Sequence, residues 1–316
     1  MKTLLSFEPG GPDTLRIEEV SDPSAGAGEL LVRVQASSVN PVDNAIAVGM
    51  LKDMVAHEFP VTLGRDFAGT VERAGDGVDG VSAGDEVLGF VAAMVPAVGA
   101  GSWAEAIAVP ASGVVRRPDG VALDTAGAAP LAAITAMLCV DALGLSAGDA
   151  VLIAGATGGV GTIAVQLATA AGATVIAPGL PDDEDFLRGF GVSEIVPREG
   201  DVTAAVRERV PGGVDAVIDL VNYAPGSYDA ALKDGGRVSS ATGAAGDGPG
   251  RTNVMSTPAP ELLARLASLL GDGALRIPIQ RSYELAEAVE ALHALGAEHT
   301  QGKIAIRVAG PANGGR

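Results

Sequence analysis

Gly155-Ala-Thr-Gly-Gly-Val-Gly161 sits between the apolar run Ala150-Val-Leu-Ile-Ala154 and residues 159–171, where Val160, Ile163, Ala164, Leu167, Ala168 and Ala171 mark one helix face. Gly172 stops that helix, and Ala173-Thr-Val-Ile-Ala177 follows as a second apolar run. Strand, glycine turn, helix and strand in this register are the context that the dinucleotide fingerprint G-x-G-x-x-G requires. Ala156 stands at the first glycine's place, while Gly158 and Gly161 hold the second and third. Gly158 lets the backbone approach a pyrophosphate, and Gly161 lets helix pack on strand. The helix N-terminus adds free N–H groups and a partial positive charge. Ala156, Thr157, Gly158, Gly159, Val160 and Gly161 are therefore candidate cofactor-binding residues. The alternative is a bare packing turn, which a chain with 44 glycines can reach by chance.

Working outward, strands that are apolar throughout belong to parallel sheets covered on both faces. Residues 192–196, 216–220 and 237–241 read as further strands, and 122–144 is rich in Ala and Leu at helical spacing. Alternating strands and helices predict a doubly wound parallel-sheet α/β domain over 122–273. The first third has another style. Residues 29–35, 69–74 and 85–91 read as short strands separated by glycine-aspartate turns, a β-barrel-type antiparallel domain over 1–121. Residues 284–295 form an amphipathic stretch and 303–308 alternate as a half-buried strand, so 274–308 is expected to return to the first domain. Residues 309–316 read as a disordered tail.

With 39 acidic against 21 basic residues the net charge is −18. That field repels phosphate backbones and argues against nucleic-acid binding. It also means that any anionic cofactor must be held by local groups. The single cysteine, Cys139, excludes an internal disulfide and any multi-cysteine metal site, and its apolar surroundings read as an inert buried thiol. The N-terminal residues lack a signal-peptide pattern, and no apolar run is long enough to span a membrane. A cytoplasmic protein without a membrane partner is expected.

An acidic residue about 20 positions after the glycines would grip the 2′-hydroxyl of NAD. Pro178 and Gly179 stand there instead, and Asp182-Asp-Glu-Asp185 follows. Those acids either repel a 2′-phosphate or form a helix start, where acidic side chains are favoured. The following Phe186-Leu187 prefers the second reading.

Asn40-Pro-Val-Asp43, Pro60-Val-Thr-Leu-Gly-Arg-Asp-Phe-Ala-Gly69, Gly84-Asp-Glu-Val-Leu-Gly89, Gly101-Ser-Trp-Ala-Glu105, Pro130-Leu-Ala-Ala-Ile-Thr-Ala136, Ala164-Val-Gln-Leu-Ala168 and Gly302-Lys-Ile304, in this order around the glycine turn, resemble the medium-chain dehydrogenase/reductase superfamily. The likeness is to its zinc-free quinone oxidoreductase and enoyl reductase branch and runs from about residue 1 to Val308. It implies a GroES-like domain, a Rossmann domain and an active-site cleft between them. Where zinc-dependent members carry a catalytic Cys and Gly-His-Glu, this chain has Asn40 and Gly64-Arg65-Asp66. Three scattered histidines, His57, His293 and His299, do not assemble a zinc site, so no metal is expected. Without a Lewis acid, hydride delivery to a polarised C=C or a quinone is easier than oxidation of a plain alcohol.

By the same resemblance, Asn40 and Asp43 border nicotinamide and substrate, and Thr135 touches the carboxamide side. Asn40 would donate a hydrogen bond to a substrate oxygen as charge develops. The bland alternative for Asn40–Asp43 is an Asx-type turn. Leu220 and Val221 follow Asp219 beside the ribose, and Ala241, Thr242 and Gly243 lie under the nicotinamide; ordinary strand termination would place them equally. Gly179 and Lys303 join the expected cofactor contacts. Arg198, at the third strand's end, is expected to replace the missing 2′-phosphate cation, favouring NADP(H) with NAD(H) possible. A tyrosine or arginine that many relatives carry after Asp43 is absent, with Val48 and Met50 nearby. Residues 94–98 suggest an apolar cleft loop for a small carbonyl or quinone substrate. Relatives pair Rossmann edge strands, so a homodimer through 252–255 is expected by analogy. Two other readings stand beside the reductase: a catalytically silent nucleotide-binding scaffold or redox sensor, and a zinc alcohol dehydrogenase.

Overall fold

The computed structural model describes residues 1–51, 59–92 and 101–308. The expected loop 94–98, His57 and the tail 309–316 lie outside them. The chain divides into two units, Met1–Leu131 with Thr257–Arg316, and Ala132–Ser256.

The first unit is built on a seven-stranded sheet in the order Ile279–Glu284, Lys303–Arg307, Glu29–Val39, Asp66–Ala74, Glu86–Phe90, Val114–Arg116, with Ala106–Pro110 also pairing Glu29–Val39. Every pairing is antiparallel except Ile279–Glu284 on Lys303–Arg307. Parallel neighbours need a crossover, and helix Ala288–Ala297 supplies it. Leu30, Val32, Val34, Phe67, Val71, Val87 and Ile107 fill the core around the long central strand. A three-stranded sheet, Leu15–Glu19, Lys2–Ser6 and Val61–Thr62, completes the β part. Residues 303–306 are all buried rather than alternating, because helices Ala288–Ala297 and Leu123–Ala128 both pack on the strand, Ile304 and Ile306 joining Ala288, Ala291 and Leu292.

The Ala- and Leu-rich stretch 122–144 is two helices, Leu123–Ala128 and Pro130–Leu143. Proline has no N–H to continue a helix but suits a first turn, so the chain breaks at Ala129 and restarts. The unit boundary follows this break. Helix Pro260–Gly271, expected with the dinucleotide domain, belongs to the first unit.

The second unit holds six parallel strands in the order Glu194–Pro197, Thr174–Gly179, Ala150–Ala154, Val214–Asp219, Leu232–Ser240, Arg251–Asn253. Numbered along the chain this is 3-2-1-4-5-6, the doubly wound order whose ligand crevice lies outside the carboxyl ends of strands one and four, where the order reverses. Leu152, Ile176, Val196, Val214, Val217 and Val238 form its core on one face. The fifth strand starts at Leu232, well before the expected 237, with an irregularity between Val214 and Ala216 of its partner.

Candidate active site

At the switch point Gly155 adopts φ 86°, a left-handed conformation that favours glycine. A Cβ there would meet Val221 Cγ1 at 2.8 Å and Leu220 Cβ at 3.3 Å, so the turn after strand one touches the loop after strand four. At Gly161 a Cβ would fall 2.0 Å from Gly155 O; helix and turn are packed backbone to backbone. Gly158 differs. Its φ of −74° suits any residue, and a Cβ would meet nothing closer than Gly155 O at 3.5 Å. The fold itself does not require glycine at 158. Helix Gly159–Ala170 starts there with no side chain capping it, so its first N–H groups have no partner within the helix and none from a capping side chain. Ala156 is buried, and Thr157, Gly159 and Val160 are half-buried around the turn.

The rim of this crevice is fixed by side chains. Asp219 accepts from Val221 N at 3.1 Å, Asn222 N at 3.0 Å and Asn222 Nδ2 at 2.9 Å, shaping the loop that carries Leu220 and Val221. Thr242 Oγ1 donates to Asn222 O and its N–H to Ser240 Oγ, joining that loop to Ala241, Thr242 and Gly243. Thr135 Oγ1 lies 2.7 Å from Ser256 Oγ. Gly179 is buried at the second strand's end, in register with Pro197. The next residue, the exposed Arg198, donates its N–H to Gly179 O at 3.1 Å. Asp183 is buried and its carboxylate accepts from Leu180 N at 2.8 Å. It caps the turn, as the second reading of the acidic run requires.

The first unit gathers a different group. Asn40, Asp43, Arg65, Asp66 and Lys303 are all 5% exposed or less. Asp43 Oδ2 accepts from Asn40 N at 2.8 Å and Oδ1 from Gly64 N at 3.0 Å, with Arg65 Nε 3.8 Å away. Burial pushes the Asp43 carboxyl up to about 6, against the pull of Arg65, and lowers the Arg65 and Lys303 cations. Asn40 Nδ2 donates to Asp66 Oδ2 at 2.8 Å and to Ser38 Oγ at 3.3 Å, while Oδ1 accepts from Lys303 Nζ at 2.5 Å. Both amide hydrogens are thus engaged, and none remains for the substrate oxygen that sequence reasoning gave it. Lys303, expected among the cofactor contacts, is instead engaged inside this cluster. Asp43 closes a capping box with Asn40, as the turn reading of its motif expects, and also accepts from Gly64 N.

Gly64 turns at φ 84°, where a Cβ would lie 2.2 Å from Trp103 Cδ1. Trp103 is fully buried and donates to Ser38 O at 3.2 Å. Sequence reasoning named Arg65 and Asp66 only as departures from a zinc motif and missed the cluster. The signal available was a charged pair inside the apolar stretch 61–69. Among the described residues no group of three His, Cys, Asp or Glu is gathered to hold a metal ion.

An alcohol dehydrogenase GroES-like domain matches residues 26–119, and a zinc-binding dehydrogenase domain matches 190–306. The chloroplast envelope quinone oxidoreductase homolog of Arabidopsis thaliana is 29% identical over 94% of this chain and 95% of its own. The chloroplastic NADPH-dependent alkenal/one oxidoreductase of the same plant is 27% identical over 97% and 79%. The quinone oxidoreductase structure from Coxiella burnetii has a TM-score of 0.85 at 28% identity, over 98% of this chain and 99% of that one. A GroES-like unit and a 3-2-1-4-5-6 Rossmann unit in one chain define a medium-chain dehydrogenase/reductase. The chain belongs to that superfamily and, within it, is a quinone oxidoreductase-like protein.

Proposed function

We propose that the chain is a zinc-independent, NADPH-favouring reductase of quinones or α,β-unsaturated carbonyls. Gly158 supports this most: it is a glycine that the fold does not need, at a helix start that no side chain caps, where backbone N–H groups would receive a diphosphate. In a protein of net charge −18, such a local positive end is what an anionic cofactor requires. Ala156 to Gly161 would hold the diphosphate, the loop shaped by Asp219 the ribose, and Thr135 with Ala241, Thr242 and Gly243 the nicotinamide. Arg198, beside Gly179, would face a 2′-phosphate. The bound cofactor would supply a hydride.

Zinc, implied by the name of the second matching domain, does not fit the donor set. An amide replaces the thiolate at Asn40, an arginine stands at 65, and the Lys303 ammonium already faces Asn40 Oδ1 and Asp66 Oδ2. Asp43 and Asn40, buried and bonded to one another, would act as supports of their loop rather than as proton donors, with the final proton drawn from water. One observation favours the silent scaffold reading: neither Asn40 hydrogen is available to a substrate. Loss of reduced-nicotinamide absorbance with 1,4-benzoquinone and with a simple enone separates the two. Turnover with NADPH and no bound zinc by elemental analysis is expected; NADPH binding without turnover of any acceptor would favour the scaffold.

We assign the homodimer contact to the edge strand Arg251–Asn253 and the neighbouring exposed Met255. Light scattering at twice the 31.3 kDa chain mass is the expected result. Among the described residues no helix is long and apolar enough to cross a membrane. We place the protein in the cytoplasm, to be checked by fractionation.

A further inference from the structure

Three oxygens converge on the Lys303 ammonium: Val39 O at 3.1 Å, Asn40 Oδ1 at 2.5 Å and Asp66 Oδ2 at 3.6 Å. Lys303 opens strand Lys303–Arg307, Val39 ends its neighbour Glu29–Val39 with Asn40 directly after it, and Asp66 opens the next strand, Asp66–Ala74, with Ile304 opposite Val39 and Ala68 opposite Ala36. The sheet therefore brings together residues 263 apart in sequence at one end of neighbouring strands. An ammonium is a compact charge with three donors, and here each has an oxygen before it. Lys303 is 5% exposed and Asp66 is fully buried, so neither charge is stabilised by water. A buried charge persists only when paired and hydrogen-bonded. Asp43 and Arg65 form the second half of the cluster, and the four charges balance.

The Asn40 amide lies across this pair. Its carbonyl oxygen faces the ammonium and its nitrogen faces the Asp66 carboxylate, which fixes both the plane and the sense of the amide. Ser38 Oγ and Leu131 N complete the Asp66 carboxylate, donating at 2.6 Å each.

We propose that Lys303 is a tethered cation: its ammonium holds Asn40 and Asp66 in register and is the positioning residue of this buried cluster. The kinetic consequence rests on the reductase reading; the structural one does not.

The test is chemical rescue. Lys303→Ala removes the charge and leaves a hole lined by the same oxygens. NADPH affinity by calorimetry is expected within about two-fold of wild type, while kcat with an enone or quinone falls at least about ten-fold, the range for losing a hydrogen bond to a charged group. Propylammonium is expected to raise both kcat and Tm of Lys303→Ala saturably. Tetramethylammonium at equal ionic strength, which carries no N–H, is expected to raise neither. Lys303→Met, which fills the space without charge, should stay at the low kcat. Wild-type kcat in the Met variant, or a folded Ala variant indifferent to propylammonium, would overturn the proposal. Should the single variants fail to fold, Asp66→Asn/Lys303→Met removes both charges together, and a folded double variant with wild-type kcat overturns it equally. If the wild type reduces no acceptor, the reductase reading fails alone, and the propylammonium dependence of Tm still decides the role of Lys303.

Discussion

Adding one methyl group at Gly158 and at Gly161 should separate the demands of folding from those of binding. At Gly161 the new Cβ would lie 2.0 Å from Gly155 O and 2.7 Å from Ala156 Cα, both backbone atoms that cannot swing aside. Overpacking of this kind costs about 1–3 kcal/mol and more where backbone must move. Gly161→Ala is therefore expected to lower the urea midpoint by at least the equivalent of about 3 kcal/mol. At Gly158 the nearest atom would be 3.5 Å away and φ is −74°. Alanine there loses some N-cap preference, about 0.5 kcal/mol, and gains about as much by restricting the unfolded chain. Stability should change by less than about 1 kcal/mol. The same methyl group would hold a diphosphate away from the helix N–H groups. Loss of one hydrogen bond to a charged partner, about 1.5–3 kcal/mol, weakens NADPH binding by roughly ten- to 150-fold. Urea unfolding and NADPH calorimetry on both variants supply the readouts. A stable Gly158→Ala protein that binds NADPH as wild type does would refute the assignment of this turn to a diphosphate.

Three further outcomes follow from the structure. The Asp43 carboxyl, pushed up to about 6 by burial, keeps its proton in the folded state when the unfolded chain, at about 3.9, has lost it. The folded state then binds more protons, so this group makes stability fall as pH rises from about 4 to 6, by up to about 3 kcal/mol. Asp22, Asp124 and Asp215, whose carboxyls are held low, act in the opposite sense and below about pH 4. The difference between wild type and Asp43→Asn in urea midpoints over this window isolates the term, and a difference that grows in favour of wild type with rising pH would contradict it. Cys139 is buried with its thiol pushed up to about 12, so a disulfide reagent should label it only after denaturation; rapid native labelling would show that helix Pro130–Leu143 opens. Arg198→Ala is expected to weaken NADPH binding about ten-fold and leave NADH unchanged, and equal effects on both would remove Arg198 from the 2′-phosphate.

What the sequence disclosed depended on how local the physics is. The second unit was legible because residues 150–154 and 173–177 are apolar throughout and the glycine turn lies between them, so period, turn chemistry and helix start agree within about 30 residues. The first unit was legible only in outline. Short strands such as Lys2–Ser6, Ala106–Pro110 and Val114–Arg116 carry too few residues for a period to show, and pairing decides them. Asp183 illustrates the intermediate case. The residues allowed a repelling acid or a cap, and only the bond to Leu180 N selects the cap.

Lys303 marks the point at which local reading stops. Its strand, Lys303-Ile-Ala-Ile-Arg307, has the alternation of a half-buried edge, which would leave a lysine free to reach for a phosphate. The strand acquires a second neighbour, Ile279–Glu284, only because helix Ala288–Ala297 carries the chain back in parallel. That crossover helix and helix Leu123–Ala128 both pack on the strand, and a buried lysine must find anions of its own. Asp66 is the anion available at that end of the sheet, and Asn40 is the residue between them. Sheet topology, decided by contacts across the whole chain, therefore settles the chemistry of a side chain whose immediate neighbours say nothing about it. The same logic explains why Arg65 and Asp66 can lie in an apolar strand start: each is tolerable there only because the other charges arrive from elsewhere in the fold.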